Sequence, residues 1–130
     1  MNLSSQWNPK ETQIIMQVMA CMISTHNFDV YIRNQALGDC QHLTDKAYNL
    51  CKSFGLTNIN RISGGLQYPV SIVSSEGIQC DELTHYWLES DGRILELCKG
   101  TIIDVQSRVP LVNYVDLNSL EPDPHFIYNK

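Results

Sequence analysis

The stretch that decides the fold is His85-Tyr86-Trp87-Leu88-Glu89-Ser90-Asp91-Gly92-Arg93-Ile94-Leu95-Glu96-Leu97-Cys98. Asp-Gly is a dipeptide that tolerates the positive φ angles of a two-residue hairpin turn, so strands are expected over Leu83 to Glu89 and Arg93 to Cys98. With Asp91-Gly92 as the turn, Ser90 faces Arg93, Glu89 faces Ile94, Leu88 faces Leu95, Trp87 faces Glu96 and His85 faces Cys98. Side chains alternate between faces, so His85, Trp87 and Glu89 share one with Ile94, Glu96 and Cys98. His85 and Glu96 are then diagonal neighbours across the hairpin, close enough for long side chains to meet. A shift of one residue at the turn would undo every pairing.

Upstream, helical signals replace strand signals. Asn8 is placed to cap a helix, Pro9 suits its first position, and Glu11 stands where a capping-box acid reaches back. Ile14, Ile15, Val18, Met19, Met22 and Ile23 follow at helical spacing and form an apolar face read as core. Val30 to Leu37 is a short helix or a loop. Asp39 is the expected cap of the next helix, with Cys40 in its first turn. Leu43, Ala47, Leu50, Cys51 and Phe54 are its buried stripe, and Gly55 its end. Beyond it, Asn58 to Ile62 is expected as a strand, Gly64-Gly65 as a turn, Pro69 to Ser74 as a strand, and Thr101 to Val105 as another. The tail from Asn118 is expected as an irregular extension. Helices followed by antiparallel strands make an α+β fold, with a nucleophile-bearing helix packed on the sheet. The expected layout is one domain over 1–130: a helical lead-in over 1–37, a core over 38–105 and a C-terminal extension over 106–130.

A cysteine attacks as thiolate, and three devices lower its pKa: a helix N-terminus, an imidazole, and an acid that orients the imidazole. Cys40 has the first by position; the hairpin offers the others as His85 and Glu96. A carboxylate at 96 that holds one ring nitrogen leaves the other for a thiol, the arrangement of a Cys–His–acid triad. The Cys40 backbone N–H is a natural oxyanion donor.

The same order carries a resemblance. Gly38-Asp39-Cys40, the helix ending Leu50-Cys51-Lys52-Ser53-Phe54-Gly55-Leu56, the Arg61-Ile62-Ser63-Gly64 stretch, and His85-Tyr86-Trp87 with its hairpin resemble the nucleophile-to-histidine region of transglutaminase-like proteins, within the papain-like superfamily. It spans roughly Gly38 to Leu97, about half the chain. The resemblance implies Cys40 as nucleophile, His85 as general base and acid, and an orienting acid matching Glu96, where the family usually has Asp. Asp104 is the fallback acid. Gln35 is a further candidate for the oxyanion site, by analogy with papain-like enzymes, and Trp87 for the pocket. Such proteins attack amide carbonyls and pass the acyl group through a thioester to water or an amine. No cofactor is implied.

Composition narrows the alternatives. With 43% hydrophobic and 18% charged residues the chain is expected to fold as a globule. A net charge of −5 without a basic cluster disfavours nucleic acid and anionic membranes as partners. The partner that the resemblance implies is a protein, peptide or small-molecule amide. The start lacks a secretory pattern and no apolar run could cross a bilayer, so a cytoplasmic location is expected, with signal-free export left open. Five cysteines at wide spacings do not form a disulfide framework or a paired zinc motif. Cys40 with His42, and Cys80 with His85, are the nearest approach to metal ligands. Cys21, Cys51 and Cys98 are read as packing residues. Gly64-Gly65 stands outside any phosphate-loop motif. Two further functional readings remain beside the hydrolase: a catalytically inactive binding or assembly module, and a redox- or metal-responsive protein.

Overall fold

The computed structural model describes residues 7–25, 40–74, 77–116, 118–122 and 126–130. Among the described residues two helices, α1 (Pro9–Thr25) and α2 (Cys40–Ser53), precede six strands: β1 (Asn60–Ser74), β2 (Gly77–Ser90), β3 (Arg93–Glu96), β4 (Thr101–Asp104), β5 (Pro110–Asn113) and β6 (Ile127–Asn129). The strands form one antiparallel sheet in the order β5-β4-β3-β2-β1-β6, giving a mixed α+β fold. The expectation of a second helix or loop over 30–37 lies outside the described residues, as do Gln35 and the Asp39 cap.

Both helices end as local chemistry dictates. Asn8 Oδ1 accepts from the Glu11 N–H at 2.8 Å and Glu11 Oε1 from the Asn8 N–H at 3.1 Å, a reciprocal capping box. At the end of α2, Gly55 has φ +97° and donates to the Lys52 carbonyl, while Leu56 donates to that of Cys51. This pair of bonds is a Schellman motif, and the left-handed residue it requires is glycine. The helix stops there, so Phe54 is exposed rather than part of the α2 stripe. Cys21 is exposed too, since it falls between the buried positions of α1.

Alternation along the strands sorts side chains to the two faces of the sheet. Leu88, Leu95 and Ile102 pack with the buried stripes of α1 and α2, where Trp7, Ile15, Met19 and Leu43 are almost wholly enclosed. On the opposite face Trp87, Ile94 and Ile103 meet Phe126 and Tyr128. Trp7 ties the helix side together, donating from Nε1 to Ser90 Oγ at 2.9 Å.

Three strand expectations are corrected. Gly64-Gly65 is not a turn: β1 runs straight through it, with Gly64 opposite His85 and Gly65 opposite Thr84. A Cβ on Gly64 would collide with the Asn129 carbonyl oxygen and come within 2.7 Å of the Trp87 ring. Glycine serves here for close approach of β6 and an indole, not for a bend. The Asp91-Gly92 turn has the expected register, Ser90 to Arg93, Glu89 to Ile94 and Leu88 to Leu95. Both turn residues have positive φ (48° and 76°), as a type I′ hairpin requires. The ladder stops there, however; β3 ends at Glu96 and does not continue to Cys98. Finally, the C-terminal extension supplies two strands, β5 beside β4 and β6 beside β1.

Gly64→Ala is expected to destabilise the fold by about 1–3 kcal/mol through overpacking. Urea unfolding should show a lower midpoint, with faster amide exchange at Tyr128 on β6. An unchanged midpoint would mean that close approach at Gly64 is not required.

Candidate active site

The site grows from the point where β3 leaves β2. In an antiparallel strand the amide and carbonyl of one residue point to the same edge, and alternate residues share that edge. Leu88 faces Leu95 and Ser90 faces Arg93, so the next position on the β3 edge is Tyr86. By then β3 has ended, and the chain turns through Leu97 to Gly100, where Gly100 (φ +68°) donates back to the Glu96 carbonyl at 2.9 Å. Buried backbone groups without partners are costly, and α2 meets the need. Thr44 Oγ1 donates to the Tyr86 carbonyl at 3.1 Å, and the Cys40 sulfur accepts from the Tyr86 N–H. Cys40 and Thr44 lie one helical turn apart on the same face, so a single face of α2 docks on this edge.

The imidazole comes from the other face of β2. His85, 2% exposed, has Nε2 2.5 Å from Oε1 of Glu96, which is wholly buried. That leaves Nδ1 for the bond between His85 and Cys40. Glu96 accepts two further bonds: Tyr128 Oη donates to Oε1 at 2.9 Å and the Cys98 N–H to Oε2 at 2.9 Å. The His85 ring stacks on Trp87 with centroids 5.8 Å apart, and Tyr128 meets the edge of Trp87 at 5.0 Å. The imidazole is thus held on one nitrogen and one face.

These contacts set the protonation states. The Cys40 thiol is brought down to about 5 from its usual 9.0. The hydrogen bond from Cys98 contributes most; burial opposes it, and the bond and charge of His85 and the Tyr86 N–H add to the lowering. For His85, burial favours the neutral ring, but the charge and hydrogen bond of Glu96, joined by Cys40, outweigh it and raise the pKa. Tyr128 is raised well above its ordinary value by burial and the neighbouring Glu96, so it is a neutral donor. Cys51, on the same helix, is pushed up to about 12 by burial alone. The same contacts thus favour the thiolate at Cys40 and the protonated ring at His85, whereas burial holds Cys51 as the neutral thiol.

Cys40, His85 and Glu96 are brought together; the other candidates stand elsewhere. Asp104 turns into the β4–β5 connection, accepting from the Ser107 N–H at 2.8 Å, and that bond holds its carboxyl below the usual value. Trp87 supports the ring, but its Nε1 donates to Glu89 Oε2 at 2.9 Å and is not available to an oxyanion. Gln35 lies outside the described residues. The Cys40 amide belongs to the first turn of α2, whose N–H groups have no carbonyl partner within the helix. Among the described residues no three His, Cys, Asp or Glu side chains could hold a metal ion, and His42 is exposed.

Sequence reasoning missed Cys98, Tyr128 and Thr44. Cys98 was assigned to the Glu96 face of an extended β3; because the strand ends first, it packs with the helix-side core and reaches Cys40. Tyr128 carries no local signal, since only the pairing of β6 with β1 brings it near Glu96.

Comparison with known proteins yields no matching family model, curated protein or solved structure.

The thiolate is testable directly. Alkylation of Cys40 by iodoacetamide, followed against pH by peptide mapping, is expected to rise with a midpoint near 5. Cys98→Ala and His85→Ala should each move that midpoint upward, because each removes a group that stabilises the charged sulfur. A midpoint near the free-thiol value in the native chain, or no shift in either variant, would remove the basis for an activated Cys40.

Proposed function

We propose that the chain is a cysteine-dependent amidohydrolase or acyltransferase with a transglutaminase-like core, working through a thioester at Cys40. The observation that carries this is the unbroken line Cys40–His85–Glu96, with the carboxylate 2.5 Å from the ring and the thiol shifted to about 5. The sequence resemblance over Gly38 to Leu97 supports the same reading, in the order nucleophile, histidine, acid.

In this mechanism the Cys40 thiolate adds to the amide carbonyl carbon, forming a C–S bond while the π electrons move to oxygen. The Cys40 amide, at the N-terminal end of α2, is the donor assigned to that oxygen. As the tetrahedral centre collapses, the C–N bond breaks and imidazolium His85 gives its proton to the departing nitrogen. His85, now neutral, then takes a proton from water or an amine as that nucleophile attacks the thioester, and thiolate Cys40 leaves. Glu96 holds the ring and stabilises its charged form; Tyr128 and the Cys98 N–H hold Glu96. The favoured substrates are a protein glutamine, a peptide bond or a small amide.

A second reading is a non-catalytic binding or assembly module on the same fold. What favours it is the small exposure of Cys40, 9%, beside a buried His85 and Glu96.

Trapping separates the two. With a panel of glutamine-containing peptides and small amides, the catalytic reading expects ammonia or amine release and an acyl group on Cys40 detectable by mass. Cys40→Ala should abolish both, and His85→Ala should slow release by about 10²–10⁴-fold. Absence of acyl-Cys40 across the panel, or release that survives Cys40→Ala, would leave the binding module as the reading to pursue.

A further inference from the structure

The side chain of Cys98 is hydrogen-bonded to that of Cys40, so two sulfurs meet inside the site. Both residues are thiols in the structure. Both belong to the helix-side core, Cys98 wholly enclosed and Cys40 slightly exposed.

The fold decides which cysteine stands there. Cys51 shares α2 with Cys40 but lies about 16 Å further along the helix axis, out of reach of its sulfur. Cys98 arrives from the sheet instead, in the turn over 97–100 that follows β3. Two bonds fix that turn: the Gly100 N–H donates to the Glu96 carbonyl at 2.9 Å, and the Cys98 N–H to Glu96 Oε2 at 2.9 Å. The ladders of β3 with β2 and β4 stop at Glu96 and resume at Thr101, so Cys98 is outside them. Closing the contact to an S–S bond of about 2.05 Å therefore asks movement of a turn and of the first residue of α2, not of the sheet.

Thiolate is the form of cysteine that attacks a peroxide, and the contacts of Cys40 favour it. A thiolate with slight exposure admits a small oxidant, and a second thiol held against it is placed to resolve the product.

We propose that Cys40 and Cys98 are a reversible disulfide pair, in which a hydroperoxide oxidises Cys40 and Cys98 resolves it. The pair stands whether or not Cys40 attacks amides. In the first step the Cys40 sulfur attacks the terminal peroxide oxygen. An S–O bond forms, the O–O bond breaks, and the departing alkoxide or hydroxide takes a proton from His85. Cys40 is then a sulfenic acid, oxidised by two electrons, and the peroxide is reduced to an alcohol or water. In the second step the Cys98 sulfur attacks the Cys40 sulfur. The S–S bond forms, the S–O bond breaks, and the hydroxyl leaves with the Cys98 proton as water. The disulfide takes the nucleophile out of use and protects it from the irreversible sulfinic and sulfonic acids, and a dithiol restores both thiols.

Peptide mapping of the full chain after hydrogen peroxide tests this. Cleavage after Lys and Arg puts each of the five cysteines in its own peptide, so every pairing has a distinct mass. After peroxide and an alkylating quench, the Cys40 and Cys98 peptides are expected to be lost together, replaced by a linked species that dithiothreitol separates. Cys51 should remain alkylatable once the chain is unfolded. In Cys98→Ser no link should form, and Cys40 should accumulate as sulfenic acid trapped by dimedone, then as sulfinic acid. An unchanged unfolding midpoint checks the fold of that variant, and the map of the native chain decides the matter without it. The proposal is overturned if Cys40 in the native chain resists excess peroxide, or if it reaches sulfinic acid while Cys98 stays alkylatable. It is equally overturned if Cys40 pairs chiefly with a cysteine other than Cys98. Amide turnover is not read in this experiment, so a failure here is distinct from a failure of the acyl chemistry.

Discussion

The departure of β3 from β2 after Glu96 is the constraint on which the site depends. A strand edge that loses its partner inside a protein must find donors and acceptors elsewhere. Tyr86 finds them on α2, where the Thr44 hydroxyl meets its carbonyl and the Cys40 sulfur its amide. The helix thereby takes up the position that a longer β3 would have filled. Had the ladder run on to Cys98, Tyr86 would be paired with backbone and α2 would have no reason to set its first turn there. The short strand is what gives the thiol an address.

Charge burial follows from the same geometry. Glu96 is wholly enclosed, and an enclosed carboxylate is tolerable only when paired and hydrogen-bonded. It has a ring nitrogen, a phenol and an amide around it, and Glu96 in turn raises the pKa of His85, favouring the protonated ring. The Cys40 sulfur lies at the other end of the imidazole and shares its charge. Removing Glu96's charge would therefore be felt at sulfur, although carboxylate and thiol are linked only through the ring. Cys51 shows what the helix does to a thiol without such company: burial drives it up to about 12. Residence on α2 does not activate a thiol; the company of Cys98 and His85, with the Tyr86 N–H, does.

Much of this was legible in the sequence where the signal is local. The Asn8–Glu11 capping box, the Gly55 helix end and the Asp91-Gly92 register each depend on residues close in the chain, and each is formed as read. What the sequence concealed depends on distant partners. Gly64 gives the same letter whether it bends a chain or lets Asn129 and Trp87 approach, and only the arrival of β6 decides between them. Nothing in Arg93 to Cys98 marks where the strand stops, because alternation continues through Leu97 while Gly100 closes a turn behind it. The acid and the histidine could be paired from the hairpin alone. The neighbours that tune them, Cys98 and Tyr128, could not.

The length of residue 96 ties these points together. The transglutaminase-like reading proposed above would have aspartate as the usual orienting acid, whereas this chain has glutamate at the last position of β3. From there the carboxylate has two tasks: Oε1 crosses diagonally to His85 on β2, and Oε2 turns along the chain to the Cys98 N–H. An aspartate would be shorter by one methylene, about 1.5 Å of reach, and from this backbone position would fall short of one partner or the other. The bond to Cys98 fixes the turn that ends β3 and sets the Cys98 thiol against Cys40; the bond to His85 sets the ring. One carboxylate thus closes the ladder and orients the imidazole. Glutamate at 96 is accordingly explained by the strand break, since an acid that must both end the strand and reach across it needs the longer arm.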